Sequence, residues 1–152
     1  MLLVGAFDEA GNATVRIRVS GGLGALDYTA IIDTGFSGFV ALPLVDIVPL
    51  GFSTEPAAAS VMLGNGTIIP NLVAQGDVTL GGQTETGAVL LDDTSNDVLV
   101  GMAFLRKFKL ALIVTDTAVI LYDKQETLEA IAEFMGTAPL GTPNVTQGKD
   151  NE

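Results

Sequence analysis

The sequence predicts an all-β domain, and three observations carry that prediction. Short β-branched runs are punctuated by Gly and Asn at the spacing of strands and turns. Thr14, Arg16 and Arg18 alternate with Val15, Ile17 and Val19, the period of a strand with one face buried. Two apolar runs flank Gly64-Asn65-Gly66 and two more flank Gly81-Gly82, and Asn-Gly and Gly-Gly supply the positive φ that tight hairpins need.

In chain order, Leu2–Phe7 and Ala13–Ser20 form a first hairpin around Asp8-Glu9-Ala10-Gly11-Asn12. After the Gly21-Gly22-Leu23-Gly24 turn, Leu26–Ile32 runs directly into Asp33. Ala57–Leu63 pairs with Thr67–Ala74, and Gly76–Leu80 with Thr84–Leu91. Val98–Val100, Leu110–Val114 and Ala118–Tyr122 complete the strands. Helix signals are fewer. Asp123 with Glu126 three residues on resembles a capping box, and Leu128, Ile131, Ala132 and Met135 then share one face, which predicts an amphipathic helix over Lys124–Met135. Met102–Lys107 reads as a short helix and Leu44–Leu50 as a single turn. Residues 1–135 are read as one domain. From Gly136 to Glu152 the Gly, Pro, Thr and Asn content without periodicity reads as a mobile tail.

Composition removes whole classes of chemistry. The 152 residues include 18 acidic and 7 basic side chains, a net charge of −11, which argues against binding a phosphate backbone. The one basic cluster, Arg106, Lys107 and Lys109, is too small for a nucleic-acid footprint. There is no Cys, so disulfides, thiolate nucleophiles and zinc-thiolate sites are impossible. There is no His either, which removes Ser-His-Asp triads and imidazole acid–base catalysis. No metal or cofactor is implied. Met1–Phe7 lacks a basic segment and is broken by Gly5, so it reads as a strand and not a signal peptide. No apolar run reaches the roughly 18 residues that span a bilayer, and a cytoplasmic protein without membrane attachment is the expectation.

Catalysis, where present, must use carboxylates, hydroxyls, Lys, Tyr or main-chain groups. The sharpest local feature is Ile31-Ile32-Asp33-Thr34-Gly35-Phe36-Ser37-Gly38, a carboxylate that follows an apolar strand and sits in a Thr/Gly turn. A buried carboxylate is costly unless hydrogen-bonded or paired. By itself the triplet is also compatible with an Asp that merely caps a turn.

The order of motifs along the chain resembles the retropepsin-like aspartic proteases of clan AA. Asp33-Thr34-Gly35 is similar to their catalytic loop, and Val61-Met62-Leu63-Gly64-Asn65-Gly66-Thr67-Ile68-Ile69 to their flap hairpin. Val98-Leu99-Val100-Gly101-Met102-Ala103-Phe104-Leu105 is similar to their second signature, a strand and Gly that lead into a short helix. Phe36 after the triplet resembles a microbial branch whose loop reads Asp-Thr-Gly-Phe. The resemblance runs from about Thr14 to Tyr122.

It implies a closed β-barrel with a flap, a short helix after Gly101, and aspartic endopeptidase activity on peptide or protein substrates. In this family two close carboxylates share a proton, one acting as base on water and the other as acid. Thr34 would orient the loop across a two-fold axis, and Gly35 would let its amide approach the carboxylate. Leu63, Gly64, Asn65, Gly66 and Ile68 would form the flap, Leu63 and Ile68 either lining subsites or, as alternation equally allows, belonging to the core, and Phe36 would narrow or reshape the adjoining subsite. Only one Asp-Thr-Gly is present in 152 residues, so the dyad needs Asp33 from each subunit of a homodimer. Retroviral members end soon after the second signature, with a terminal strand in the dimer interface, whereas this chain continues. The alternative is a non-catalytic dimerisation or peptide-binding module on the same fold, with Asp33 a loop-stabilising acceptor.

Other motifs carry less. Asp116-Thr117-Ala118 reads as a hairpin turn. Gly35-Phe36-Ser37-Gly38-Phe39 departs from the nucleophile elbow at Phe39 and has no base. Asp92-Asp93-Thr94-Ser95-Asn96-Asp97 lacks the Gly and distal Glu of a calcium loop and reads as a solvated loop. Asn12-Ala13-Thr14, Asn65-Gly66-Thr67 and Asn144-Val145-Thr146 match glycosylation acceptors but read as unmodified.

Overall fold

The structure is a computed structural model that describes residues 1–56, 61–62, 68–69, 72–123 and 129. Thirteen strands and two short helices are present among them. In order these are β1 (Leu2–Val4), β2 (Ala6–Phe7), β3 (Ala13–Ser20), β4 (Ala25–Ile32), β5 (Val40–Pro43), a 3-10 turn (Leu44–Asp46), α1 (Ile47–Leu50) and β6 (Thr54–Pro56). There follow β7 (Val61–Met62), β8 (Ile68–Ile69), β9 (Leu72–Leu80), β10 (Gln83–Asp92), β11 (Leu99–Val100), α2 (Met102–Lys107), β12 (Leu110–Val114) and β13 (Val119–Asp123).

The main sheet runs β2-β3-β4-β11-β5-β10-β9-β6 and closes on itself because β3 also pairs with β9, which makes a barrel of six strands. Alternation along β3 drives the closure. Val15, Ile17 and Val19 are buried while Arg16 and Arg18 face water, and Arg18 meets Asp27 across the β3–β4 ladder at 2.9 Å. The turn between β9 and β10 has Gly81 at φ 55° and Gly82 at φ 87°, a conformation that any residue with a Cβ would resist. In the β2–β3 hairpin the Asn12 side chain and amide both bond the Asp8 carboxylate, which holds that carboxyl below its usual range.

The apolar run at the N-terminus does not form one strand. It breaks at Gly5, whose amide bonds Val119 O at 2.8 Å and whose Cβ, were there one, would run into Thr14 O. β1 therefore leaves the barrel and joins a second sheet, β1-β13-β12, entirely within this chain. β5 is unheralded by alternation because all four of its residues are buried, so both faces are apolar. β7 and β8 pair antiparallel, Val61 opposite Ile69 and Met62 opposite Ile68, as the arms of a hairpin. Its tip, Leu63, Gly64, Asn65 and Gly66, lies outside the described residues, as does the helix expected over Lys124–Met135 apart from Glu129, which is helical. The segment expected as a tail also lies outside them.

α2 closes one end of the core. Phe104 and Phe108 are fully buried, with ring centroids 4.7 Å apart, and Phe104 stands 5.9 Å from Phe39. Lys107 Nζ donates to Thr86 O at 2.6 Å, which ties the helix to β10. No helix among the described residues is long and apolar enough to cross a membrane. Because Phe104 is fully enclosed, Phe104→Ala leaves a cavity, and guanidinium unfolding is expected to show a loss of about 3–5 kcal/mol.

Candidate active site

β4 delivers Asp33 to the point where two crossing segments meet. β11 lies parallel to β4, with Leu99 opposite Ile31 and Val100 opposite Ile32, and antiparallel to β5. Ile31 N bonds Val98 O at 2.8 Å, and Asp33 N bonds Val100 O at 2.9 Å, so the carboxylate's own amide is the last rung of this ladder. Ile32 and Val100 point into the core. Ile31 and Leu99, half-buried on the opposite face, make an apolar floor that leads up to Asp33.

Asp33 is half-buried and its neighbours Thr34 and Gly35 are exposed. One carboxylate oxygen, Oδ1, accepts the Gly35 amide at 2.9 Å. A Cβ on Gly35 would stand 3.2 Å from that oxygen, tighter than ordinary contact. The other oxygen has no hydrogen-bond partner among the described residues, and neither has the Thr34 hydroxyl. The arrangement leaves one fixed and one available carboxylate oxygen at the surface of the fold.

The remaining candidates distribute as follows. Phe36 is half-buried, with its ring against Gly38 and Gly101. Ile68 is on β8, the second arm of the hairpin. Asp116-Thr117-Ala118 forms the β12–β13 turn, closed by Thr115 N to Ala118 O at 2.9 Å. Asp92 spends one oxygen on the amide and hydroxyl of Thr94. No group of three or more acidic side chains able to hold a metal occurs among the described residues. Ile31 and Leu99 were not singled out from the sequence. Their proximity is created by a parallel pairing across 68 positions of chain, which no local pattern announces.

No protein-family model and no curated protein matches the sequence. Solved structures do match. A retropepsin-like aspartic protease from Rickettsia conorii superposes with a TM-score of 0.61 at 19% identity, over 80% of this chain and 90% of that one. The protease of EIAV, solved with the inhibitor HBY-793, gives 0.56 at 13% identity, over 71% of this chain and 98% of that one. The chain therefore has the retropepsin-like fold.

A second anchor holds β4 from the side away from the loop. Tyr28, five residues before Asp33, donates its hydroxyl to Asp46 Oδ2 at 2.9 Å. Burial first, then the bond to Asp46 and its negative charge, push the phenol well above its ordinary value of 10.0. A raised value means that the folded state holds the proton after the unfolded chain releases it. The resulting stability is complete below the ordinary phenol range and is lost as the pH rises beyond it. Urea midpoints measured from about pH 9 to pH 11 are expected to fall in the native protein and to fall less steeply in Tyr28→Phe.

Proposed function

We propose that this chain is an aspartic endopeptidase whose water-activating pair is Asp33 from each of two copies. The observation that carries the reading is the state of that carboxylate. It is half-buried at a strand end, one oxygen is fixed by the Gly35 amide, the other is available, and apolar Ile31 and Leu99 lie beside it. The fold that presents it is shared with two aspartic proteases.

One carboxylate can take a proton from water, but the carbonyl oxygen that becomes negative then needs an acid. With no His and no Cys in the chain, a second carboxylate is the natural acid, and one triplet per chain means a second copy. One Asp33 accepts the water proton as oxygen attacks the carbonyl carbon, and its protonated mate donates to the carbonyl oxygen. Collapse of the diol returns a proton to the departing nitrogen and breaks the peptide bond. An extended peptide lies over Ile31 and Leu99. The hairpin of β7 and β8, with Leu63, Gly64, Asn65, Gly66 and Ile68, closes from above and excludes water. Thr34 steadies the two loops against each other, and Phe36 narrows or reshapes the adjoining subsite.

We infer that the two copies do not meet through β13. Here β13 already pairs with β1, Leu2 opposite Tyr122 and Val4 opposite Ile120, inside one chain. Both edges of β13 are filled by β1 and β12 of this chain, so a second copy does not add a strand beside β13.

A statine-containing peptide, whose hydroxyl stands in for the attacking water, tests the site. It is expected to raise the melting temperature of the native protein and not that of Asp33→Asn, which is nearly isosteric and should keep the fold. Unfolded β-casein should be cleaved by the native protein and not by the variant. Equal stabilisation of both forms, with no cleavage by either, would assign the cleft to peptide binding without catalysis. Sedimentation in the micromolar range is expected to show a dimer in the presence of the statine peptide, and a cleaving monomer would overturn the shared pair.

A further inference from the structure

The hydrogen bonds that fasten the loop after Asp33 to the start of α2 are, among the described residues, main-chain bonds. Phe36 N donates to Asp33 O at 3.1 Å, and Met102 N donates to Phe36 O at 2.8 Å. Ala103 N is shared between Ser37 O at 3.3 Å and Gly38 O at 3.1 Å, and Gly101 N reaches Phe39 O at 3.2 Å. Thr34, Gly35 and Ser37 around them are exposed, so water competes for these groups.

The Phe36 side chain stands over this junction. A Cβ on Gly38 would collide with Phe36 Cζ and Cε2, and a Cβ on Gly101 would stand 2.6 Å from Phe36 Cδ1. Neither glycine is needed for its backbone conformation. Gly101 has φ −113°, and Gly38 is not among the residues of positive φ. Both are glycine for space: at Gly38 the Phe36 ring fills it, and at Gly101 the Phe36 and Gly38 carbonyl oxygens crowd it with the ring edge beside them. Phe36 is not part of the core, where Phe39 three residues later packs on Phe104 and Phe108.

We propose that Phe36 is a positioning residue, whose ring, seated on Gly38 and Gly101, shields the bonds between the Asp33 loop and α2 and so holds the carboxylate in one orientation. It acts through the loop, whatever contact it also makes with substrate. Its catalytic consequence rests on the peptidase reading, but the clamp itself does not. An apolar ring suits the task because it excludes water from the main-chain groups without offering a polar atom that competes for them.

The test uses the full chain with Phe36→Ala and Phe36→Leu. Amide exchange followed by NMR is expected to quicken about tenfold at Met102 and Gly35 in Phe36→Ala, with β9 and β10 amides unchanged, and to recover most of the way in Phe36→Leu. In β-casein cleavage that depends on Asp33, kcat should fall in Phe36→Ala with KM little changed, and Leu should restore most of it. Native exchange at Met102 and Gly35 in Phe36→Ala would overturn the proposal, as would acceleration spread evenly over the whole barrel. A raised KM with unchanged kcat would make Phe36 a substrate contact instead. If Phe36→Ala does not fold, Phe36→Leu carries the same readings, with smaller but localised changes expected. A native protein that cleaves nothing defeats the peptidase reading, and the exchange measurement still decides the clamp.

Discussion

The site depends on two residues, Leu99 and Val100, lying between β4 and β5. That insertion is only two residues long, yet it pairs on both sides, parallel to β4 and antiparallel to β5. It receives the Asp33 amide, sends Val100 into the core and turns at Gly101 into α2. A segment this short has little intrinsic preference for strand. It is held by burial of Val100 and by hydrogen bonds that would otherwise be left unmade in the interior. Gly101 is the hinge of this constraint, since Phe36 O and Gly38 O both crowd the place where its Cβ would be. Loop, strand and helix are thereby coupled within a few ångströms, and the carboxylate inherits its position from all three.

The β12–β13 hairpin turns back and pairs with β1, which places Leu3 and Leu121 on the side of the sheet that packs on the core. The opposite side carries Leu2, Val4, Ala111, Ile113, Ile120 and Tyr122 in register, with Leu2 56% and Val4 76% exposed. Such a sheet satisfies the strand hydrogen bonds on both edges of β13 within one chain.

Much of this was legible in the sequence. β3, α2 and β12 have the limits that alternation and turn residues indicate, because each has one face in the core and ends at residues that suit a turn or cap. The hairpin at Gly81-Gly82 was legible because positive φ is a property of single residues. The change of sheet at Gly5 was not, because a strand that changes sheets keeps the same apolar composition on both sides of the break. β5 was not either, since a strand buried on both faces loses the alternation that marks a strand.

By itself the sequence determined the all-β class, the absence of thiol and imidazole chemistry, and Asp33 as the carboxylate at a strand end. These are consequences of residue identity and of patterns within a few positions. Only the tertiary structure decided that Ile31 and Leu99 flank that carboxylate, that β1 closes on β13 in the same chain, and that the Phe36 ring rests on two glycines. Each of these joins residues through a long-range pairing or a close approach of backbones. Such contacts are selected by the free energy of the whole packed barrel, to which no short stretch of the chain holds the key.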